Sequence, residues 1–433
     1  MKLGIISDFH FGYGWGSEIE DDSFEQAKEA IEKAEDCDVI ILCGDIFDSR
    51  IPRTDVWARA MSVISKPLLF KSSGVRLVNS IGKKIRKISE RTLSKVPVIA
   101  IHGTHERRSV GLINPVEALE RAGLLVHLHK NTIVLEKEGV KVAIHGMSGV
   151  PERYAKDILY EWNPKPIEGC FNILLLHQSI SPFVYSSLEP PSLNLSNLPK
   201  GFDLIVDGHI HTASMKKLNG TTLLLPGSTI VTQMKKEEAE TPKGFYKVDL
   251  NEGLKIEFVK LETVRKFFYD EVVVKEGKSL REEIETKIES KLNESFIKKP
   301  IIRIKISGVG QVFDRDLRDI ERKYREIAIV KLIKEVEEPE VSKKLELLRE
   351  IKEKRKSVEE IGLEMLLKNL KQMNFEGIFN PEQVFKLLID GEIERTMNIL
   401  LGLQATLAPT LKKSIEEVEK KKTPKTGLGK WFS

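Results

Sequence analysis

The sequence predicts an α/β protein with a large layered domain, a small α/β module and a helical extension. Three observations support this prediction. Short β-branched runs alternate with amphipathic helical patterns from residue 1 to 262, a second alternation of strands and helices covers 266–335, and the pattern over 338–410 is helical. A chain of 433 residues is long enough for roughly three domains of about 150 residues each.

The large domain, residues 1–262, is predicted from its apolar runs and amphipathic segments. The candidate strands are Leu3–Ser7, Asp38–Leu42, Val96–Ile101, Val140–Ile144, Phe171–Leu176, Leu204–Val206, Thr222–Leu225 and Phe245–Val248. The candidate helices are Ser23–Glu35, Val56–Val63, Pro115–Ala122 and Glu152–Leu159. Asn114 and Pro115 are typical of a helix cap and first turn.

A basic insertion interrupts this domain at residues 65–95. This insertion has many basic and hardly any acidic residues, and its basic residues include Lys83, Lys84, Arg86 and Lys87. Such a run could follow a phosphate backbone, so these four residues are candidate DNA contacts. A solvated helix face explains the pattern equally well.

The small module, residues 266–335, is predicted as a separate α/β unit. Its elements are expected at Phe268–Val274, Leu280–Leu292, Ile301–Ile306, Asp314–Arg325 and Ile327–Ile333. In the helical segment 338–410, apolar residues share one face at Leu363, Leu366, Leu367 and Leu370, and again at Val384, Phe385, Leu388 and Ile389. These faces either pack on the protein itself or bind a helix of a partner. Residues 411–433 read as a flexible tail.

Composition excludes several classes of protein. Lys and Arg number 69 against 65 Asp and Glu, a net charge of +4, so any nucleic-acid surface has to be a local patch. Three cysteines without CxxC spacing fit a reducing cytosol and argue against a structural zinc site. No apolar stretch approaches the ~20 residues that cross a bilayer. We therefore expect a cytoplasmic protein without a membrane span.

Aspartates and histidines directly follow five of the candidate strands. They are Asp8, His10, Asp45, His105, His177, His209 and His211. Because the carboxyl ends of strands converge in α/β sheets, these side chains are expected to meet in one pocket. A mixed carboxylate and imidazole set suits Mn²⁺, Fe²⁺ or Zn²⁺. Two such ions, about 3.5–4 Å apart, stabilise in-line displacement at phosphorus, so the pattern predicts phosphoester hydrolysis.

The ordered motifs are similar to those of the calcineurin-like metallophosphoesterase superfamily. More narrowly, they resemble the SbcD-type nucleases of DNA double-strand-break repair. The segments that carry this resemblance are Asp8–Tyr13, Gly44–Asp48, Leu176–Gln178, Gly208–His211, Pro226–Ser228 and Lys243–Tyr246. The resemblance implies a β-sandwich flanked by helices, a capping domain that contacts DNA, helices that bind an SbcC-type coiled-coil ATPase, and a homodimer.

The resemblance also implies two divalent metal ions, with Mn²⁺ favoured over Fe²⁺, Zn²⁺ or Mg²⁺. One would be held by Asp8, His10, Asp45 and His211, and the other by Asp45, His177, His209 and Thr104. His105 would be the catalytic histidine, with Glu106 orienting it by a hydrogen bond. The family usually reads GNHD where this chain reads GTHE. Because a Thr hydroxyl is a poorer ligand than an amide carbonyl, we expect weaker binding of the second ion.

Other polar residues carry weaker predictions. His102, His127, His129 and His145 are expected to be structural or at the surface. Asp48 either touches the metal-bound water or the phosphate, or caps a turn. Gln178 and Ser228 are candidates for the pocket rim.

The tail carries a second resemblance. One helical turn would place Leu428, Trp431 and Phe432 on one side, similar to the peptide that binds the PCNA sliding clamp, although Lys425 stands where that peptide has Gln. The alternative is that Trp431 and Phe432 fold back on the protein.

The sequence therefore predicts a metal-dependent DNA nuclease of break repair. Two alternatives share the fold. One is a catalytically weak adaptor that binds DNA or a sliding clamp, and the other is a phosphodiesterase for small molecules.

Overall fold

The computed structural model describes the chain except residues 110, 185–191, 219, 275–278, 309–311, 337–361, 364, 368, 371–379 and 401–433. The chain forms two compact units. The first contains Met1–Glu106 and Pro115–Lys344, and the second contains Arg107–Asn114 and Leu345–Ser433. Among the described helices, none is both long and apolar enough to cross a bilayer.

The elements of the first unit follow the chain in this order. The strands are β1 (Lys2–Ile6), β2 (Val39–Cys43), β3 (Arg76–Ile81), β4 (Val98–Ile101), β5 (Val126–His127), β6 (Asn131–Lys137), β7 (Val140–Met147), β8 (Phe171–Leu176), β9 (Ile180–Ser181), β10 (Leu193–Asn194), β11 (Leu204–Asp207), β12 (Ser214–Leu218), β13 (Thr221–Leu225), β14 (Gly244–Asp249), β15 (Lys255–Lys260), β16 (Phe267–Val274), β17 (Ile301–Gly308) and β18 (Ile329–Val336). The helices are α1 (Asp22–Lys33), α2 (Thr54–Ile64), α3 (Glu90–Leu93), α4 (Pro115–Arg121), α5 (Glu152–Trp162), α6 (Lys236–Glu240), α7 (Leu280–Lys291) and α8 (Asp314–Tyr324), with 3₁₀ turns at Lys66–Leu69, Ile85–Lys87 and Leu195–Asn197.

Two mixed sheets pack face to face. One has the order β15-β14-β1-β2-β4-β5 and the other β12-β13-β11-β8-β7-β6-β3. Their inner faces share one apolar core, to which Ile5 and Ile41 contribute from the first sheet and Ile144, Leu175 and Val206 from the second. Burying apolar side chains from both sheets in this layer drives their association. The β-sandwich expected from the sequence is confirmed.

Helices cover the outer face of the first sheet. Ile31 of α1, Val63 of α2 and Leu119 of α4 share a buried cluster with Ile40 and Leu42 of β2. Residues of β2 are therefore buried on both faces. This two-sided burial explains why the central strands read as continuous apolar runs and were predictable from the sequence.

The small module is a parallel sheet of order β16-β17-β18. Helices α7 and α8 cover one face, where Ile284 and Leu317 pack with Ile304. At its other face Phe267 and Ile301 pack against Val231 of the large domain. The module is thus seated on the segment that follows β13.

Several strands of the large domain lie outside the elements that the sequence predicted. The basic insertion contributes β3, an antiparallel edge strand beside β6, and β6 and β15 also lie outside the predicted elements. In β3 no residue is fully buried. Without a buried face the apolar alternation is weak, so the pattern gave no strand there.

The second unit contains α9 (Pro381–Ile389) and α10 (Ile393–Leu400). Asn380 caps α9 by accepting hydrogen bonds from the backbone N–H of Glu382 and Gln383. Arg108 donates to Glu394 at 2.5 Å, which joins residues 107–114 to α10. Val384 is buried whereas Leu388 is exposed. Much of the predicted helical segment lies outside the described residues.

Candidate metal centre

The strand ends bring the predicted aspartates and histidines together. Asp8, His10 and His211 form one group and Asp45, His177 and His209 another; within each group the ligand atoms lie within 4.8 Å of one another. Asp8 and His10 follow β1, Asp45 follows β2, His177 follows β8, and the two remaining histidines follow β11. The clusters therefore sit where both sheets present their carboxyl ends.

The backbone at four of these residues is left-handed. The φ angles are 53° at Asp8, 48° at His10, 45° at Asp45 and 53° at His209. Such a conformation costs a non-glycine residue about 1–3 kcal/mol and recurs at functional sites. Here it turns side chains from strand ends into a common pocket.

Hydrogen bonds in the first cluster leave two ring nitrogens facing each other. His10 Nδ1 lies 3.1 Å from Asp48 Oδ1 and His211 Nδ1 lies 2.6 Å from Thr232 Oγ1. Because Nδ1 of each ring contacts a side-chain oxygen, the two Nε2 atoms face each other, 3.2 Å apart. Partners at Nδ1 are how proteins prepare Nε2 as a metal ligand.

The carboxylate of Asp8 completes this cluster. Asp8 is 1% exposed, and neither of its side-chain oxygens has a hydrogen-bond partner. Its Oδ1 lies 3.5 Å from His211 Nε2. Since a buried carboxylate without a hydrogen-bond donor is costly, this arrangement fits a bound cation.

The second cluster pairs His177 with Asp45. His177 Nδ1 donates to the carbonyl oxygen of Cys43 at 2.7 Å, and its Nε2 lies 3.1 Å from Asp45 Oδ2. Burial opposes protonation of His177, but the charge of Asp45 outweighs it and raises the pKa of His177 to about 10. Burial and the neighbouring His177 lower the pKa of His209 to about 3. A position that attracts a proton so strongly also suits a divalent cation.

Thr104 lies beside this second cluster. Its Oγ1 donates to Asp45 Oδ2 at 3.3 Å, and the backbone N–H of His105 donates to Asp45 Oδ1 at 2.8 Å. The threonine thus contacts a predicted ligand, Asp45, through a hydrogen bond.

His105 stands at the mouth of the site with Asp48 beneath it. Its side chain is 44% exposed, and its Nδ1 lies 3.1 Å from the carbonyl oxygen of Asp48 and 3.5 Å from Asp48 Oδ1. That carboxylate also contacts His10. Asp48, for which the sequence left two roles open, therefore joins a metal-ligand candidate to the candidate catalytic histidine.

Glu106 differs from its expected role. Its carboxylate accepts from the backbone N–H of Phe47 at 2.8 Å and of Gly103 at 2.7 Å, not from His105. The side chain is 0% exposed, and burial, followed by the charge of Asp45, raises its pKa to about 8. The Glu106 side chain is one methylene longer than the Asp usual in the family, and it connects the loops that follow β2 and β4.

Other candidates lie elsewhere than predicted. Gln178 and Ser228 are 2% and 1% exposed, so they form no rim. Lys83 is bound by Glu120 at 2.9 Å, whereas Lys84, Arg86 and Lys87 are exposed. The clamp-like residues Leu428, Trp431 and Phe432 lie outside the described part of the chain.

The remaining histidines form buried networks. His102 Nδ1 lies 2.9 Å from His127 Nε2, and the ring of His129 stacks on His102. His145 contacts Thr132. These residues have structural partners, as expected. The sequence did not single out Thr232, because no motif or strand end marks it.

Comparison with known proteins finds a family match and several similar repair proteins. Residues 1–213 match the calcineurin-like phosphoesterase family. The chain is 28% identical over 330 residues to the double-strand break repair protein MRE11 of Encephalitozoon cuniculi, covering 71% of this chain and 56% of that protein. It is 26% identical over 311 residues to the DNA double-strand break repair protein Mre11 of Methanopyrus kandleri, covering 66% and 62%.

The chain thus spans little more than half the length of these relatives. The solved structure of an archaeal phosphodiesterase is 14% identical with a TM-score of 0.29, covering 60% of this chain and 100% of its own, a similarity too low to bear on function. The family match and the converging aspartates and histidines agree: residues 1–213, just under half of this chain, match a calcineurin-like phosphoesterase domain.

Proposed function

We propose that this chain is a divalent-metal-dependent DNA nuclease that hydrolyses phosphodiester bonds in double-strand-break repair, together with an SbcC-type ATPase. The convergence of two ligand clusters beneath the exposed His105 supports the hydrolytic chemistry. The names of the relatives support DNA as the substrate.

Two ions would be held by the clusters, one by Asp8, His10 and His211 and the other by His177 and His209, with Asp45 shared between them and Thr104 beside it. Mixed oxygen and nitrogen ligands suit Mn²⁺, Fe²⁺ or Zn²⁺. The resemblance to SbcD-type nucleases favours Mn²⁺ among these, with Mg²⁺ as a further alternative. When bound, such a pair supplies Lewis-acid polarisation and an acidified water.

His105 supplies the proton chemistry of the proposed reaction. Its ring is accessible to substrate, and Asp48 fixes the direction of Nε2 by contacting Nδ1. An imidazole in this position can hydrogen-bond the phosphate and protonate the leaving oxygen. Exposed Lys84, Arg86 and Lys87 would bind the DNA backbone, with an affinity that falls as salt rises.

Cleavage of end-labelled DNA in Mn²⁺ tests the proposal. We expect Asp45→Ala and His105→Ala to lose at least about 100-fold in rate, since each removes a ligand or an acid–base group. The matched control is Asp157→Ala, which removes an exposed aspartate of α5 and should cleave normally. Equal cleavage by all four proteins would reject the assignment, and much faster hydrolysis of a mononucleotide ester than of DNA would favour the small-molecule alternative.

A weak-catalyst adaptor is the second candidate, because Thr104 stands where the family usually has Asn. The partners are further proposals: α9 and α10 for the ATPase, a second copy of the chain, and a sliding clamp for the tail. Clamp binding by the full chain, with and without Trp431→Ala, tests the tail, because loss of the apolar ring should abolish binding.

A further inference from the structure

One short loop touches both the metal centre and the small module. This loop, residues 228–235, follows β13. Thr232 Oγ1 lies 2.6 Å from Nδ1 of His211. The two residues that follow Thr232 contact the module: Arg303 Nη1 donates to the carbonyl oxygens of Gln233 and Met234, each at 3.1 Å. Arg303 belongs to β17, the central strand of the module, so a side chain of the module fixes the loop that carries the partner of His211.

The loop is closed behind His211 by a buried ion pair. Lys243, 5% exposed, donates to Ser228 Oγ at 2.7 Å, to Glu238 Oε1 at 2.6 Å and to the carbonyl oxygen of His211 at 3.0 Å. The other carboxylate oxygen of Glu238 accepts from the N–H of Met234 at 2.7 Å. With both ends fixed in this way, the middle of the loop has little freedom to move independently.

Further contacts fix the middle of the loop. The hydroxyl of Tyr13 donates to the carbonyl oxygen of Thr232 at 2.7 Å. Val231 packs with Phe267 and Ile301 of the module. Tyr13 belongs to the large domain, whereas the packing of Val231 and the hydrogen bonds from Arg303 to Gln233 and Met234 connect the residues on both sides of Thr232 to the module. The position of Thr232 therefore depends on how the module packs on the large domain.

We propose that Thr232 and Arg303 are positioning residues of the metal centre. Thr232 holds the ring of His211 through Nδ1, and Arg303 holds Thr232 through the loop. Metal affinity at the cluster of Asp8, His10 and His211 then depends on how the module packs on this loop. By linkage, a bound ion stabilises that packing. The inference rests on the metal centre of the proposed function, but not on DNA being the substrate.

Calorimetric titration of the full chain with Mn²⁺ tests the proposal. Loss of the partner at the far ring nitrogen of a ligand histidine typically weakens metal binding about 10–100-fold. We expect a loss of this size in Thr232→Val at one of the two metal sites, the cluster of Asp8, His10 and His211. Thr232→Ser keeps the hydroxyl and should bind like the wild type. Arg303→Met acts at one remove and should weaken the same site about 3- to 30-fold.

Lys305→Met is the matched control for Arg303→Met. Lys305 lies two residues along β17 on the same face, but its ion pair is with Glu335 at 2.5 Å. Loss of this charge should leave both metal affinities unchanged. The double variant Thr232→Val with Arg303→Met should bind little more weakly than Thr232→Val alone, because both changes act through one hydrogen bond.

Several results would overturn the inference. Wild-type metal affinity in Arg303→Met together with weaker DNA binding would make Arg303 a substrate contact instead. Equal losses in Thr232→Ser and Thr232→Val would show that the hydroxyl is not what matters, and this pair decides the case should Arg303→Met fold poorly by circular dichroism. Absence of Mn²⁺ binding to the wild type would instead remove the proposed function itself.

Discussion

Asp45 shows how closely a single side chain is constrained at this site. One carboxylate oxygen accepts from the N–H of His105, and the other faces both Thr104 Oγ1 and His177 Nε2. A Cβ built at Gly103 would lie 2.1 Å from Asp45 Oδ1. Position 103 therefore requires glycine, for lack of space and not for backbone freedom.

Replacing Thr104 by Asn separates the nuclease from the adaptor. We expect Thr104→Asn to change the cleavage rate by no more than a few-fold, because the native hydroxyl already orients Asp45. A gain of about 100-fold, the upper range for restoring a partner in a metal site, would instead mean that the native site is crippled. Steady-state cleavage in Mn²⁺ measures the difference, with Thr104→Val as the control that removes the hydroxyl at nearly constant volume.

At the scale of elements, the strand ends were predictable and the connections between them were not. Short, continuous apolar runs mark β1, β2, β4, β8 and β11, and the polar residues that follow these strands mark the site. Glu106 joins two of the loops through backbone N–H groups. Nothing in the GTHE motif distinguishes that inward position from the expected contact with His105, because both lie within reach of the same side chain.

His145 connects three neighbouring strands and makes their stability depend on pH. In β7, its Nδ1 lies 2.9 Å from Thr132 Oγ1 of β6 and its Nε2 lies 3.3 Å from Asn172 Oδ1 of β8. Burial lowers the pKa of His145 to about 4. The folded state therefore keeps this ring neutral while the unfolded chain takes up a proton below its usual pKa of about 6.5.

As a result, the free energy of unfolding should decrease as the pH is lowered. His145 costs no stability above pH about 6.5, and its penalty grows as pH decreases toward 4, because the unfolded state binds the proton first. Between pH 7 and 5 we expect the wild type to lose about 2 kcal/mol more than His145→Gln. Urea unfolding in the presence of a chelator measures this, and parallel pH profiles for both proteins would contradict it.

At the scale of the whole first unit, Arg265 joins the small module to the large domain. It is 8% exposed and its Nε and Nη2 donate to the two carboxylate oxygens of Asp22 in α1, at 2.5 and 3.0 Å. The same guanidinium donates to the carbonyl oxygens of Glu18 and Lys299. Few of its donors are left without a partner, so the pair is well satisfied for a buried one.

Removing Arg265 should weaken the packing of the small module against the large domain. We expect Arg265→Ala to reduce the free energy of unfolding by about 3–5 kcal/mol, because it leaves the Asp22 carboxylate buried with fewer partners. The control Arg322→Ala removes an exposed pair with Asp319 and should cost less than about 1 kcal/mol. Denaturant unfolding of both variants checks the prediction, and equal losses would show that Arg265 acts as a surface charge.

The sequence by itself determined the fold class and the order of the metal-site residues, because apolar periodicity and the polar residues after each strand are local signals. It also predicted a second, small α/β module. Only the tertiary structure decided which side chains contact the candidate site residues and their loops: Asp48 contacts His105, Glu106 joins two loops, and Thr232 contacts His211. These contacts join residues far apart in the chain through packing and hydrogen bonds, so no local pattern records them.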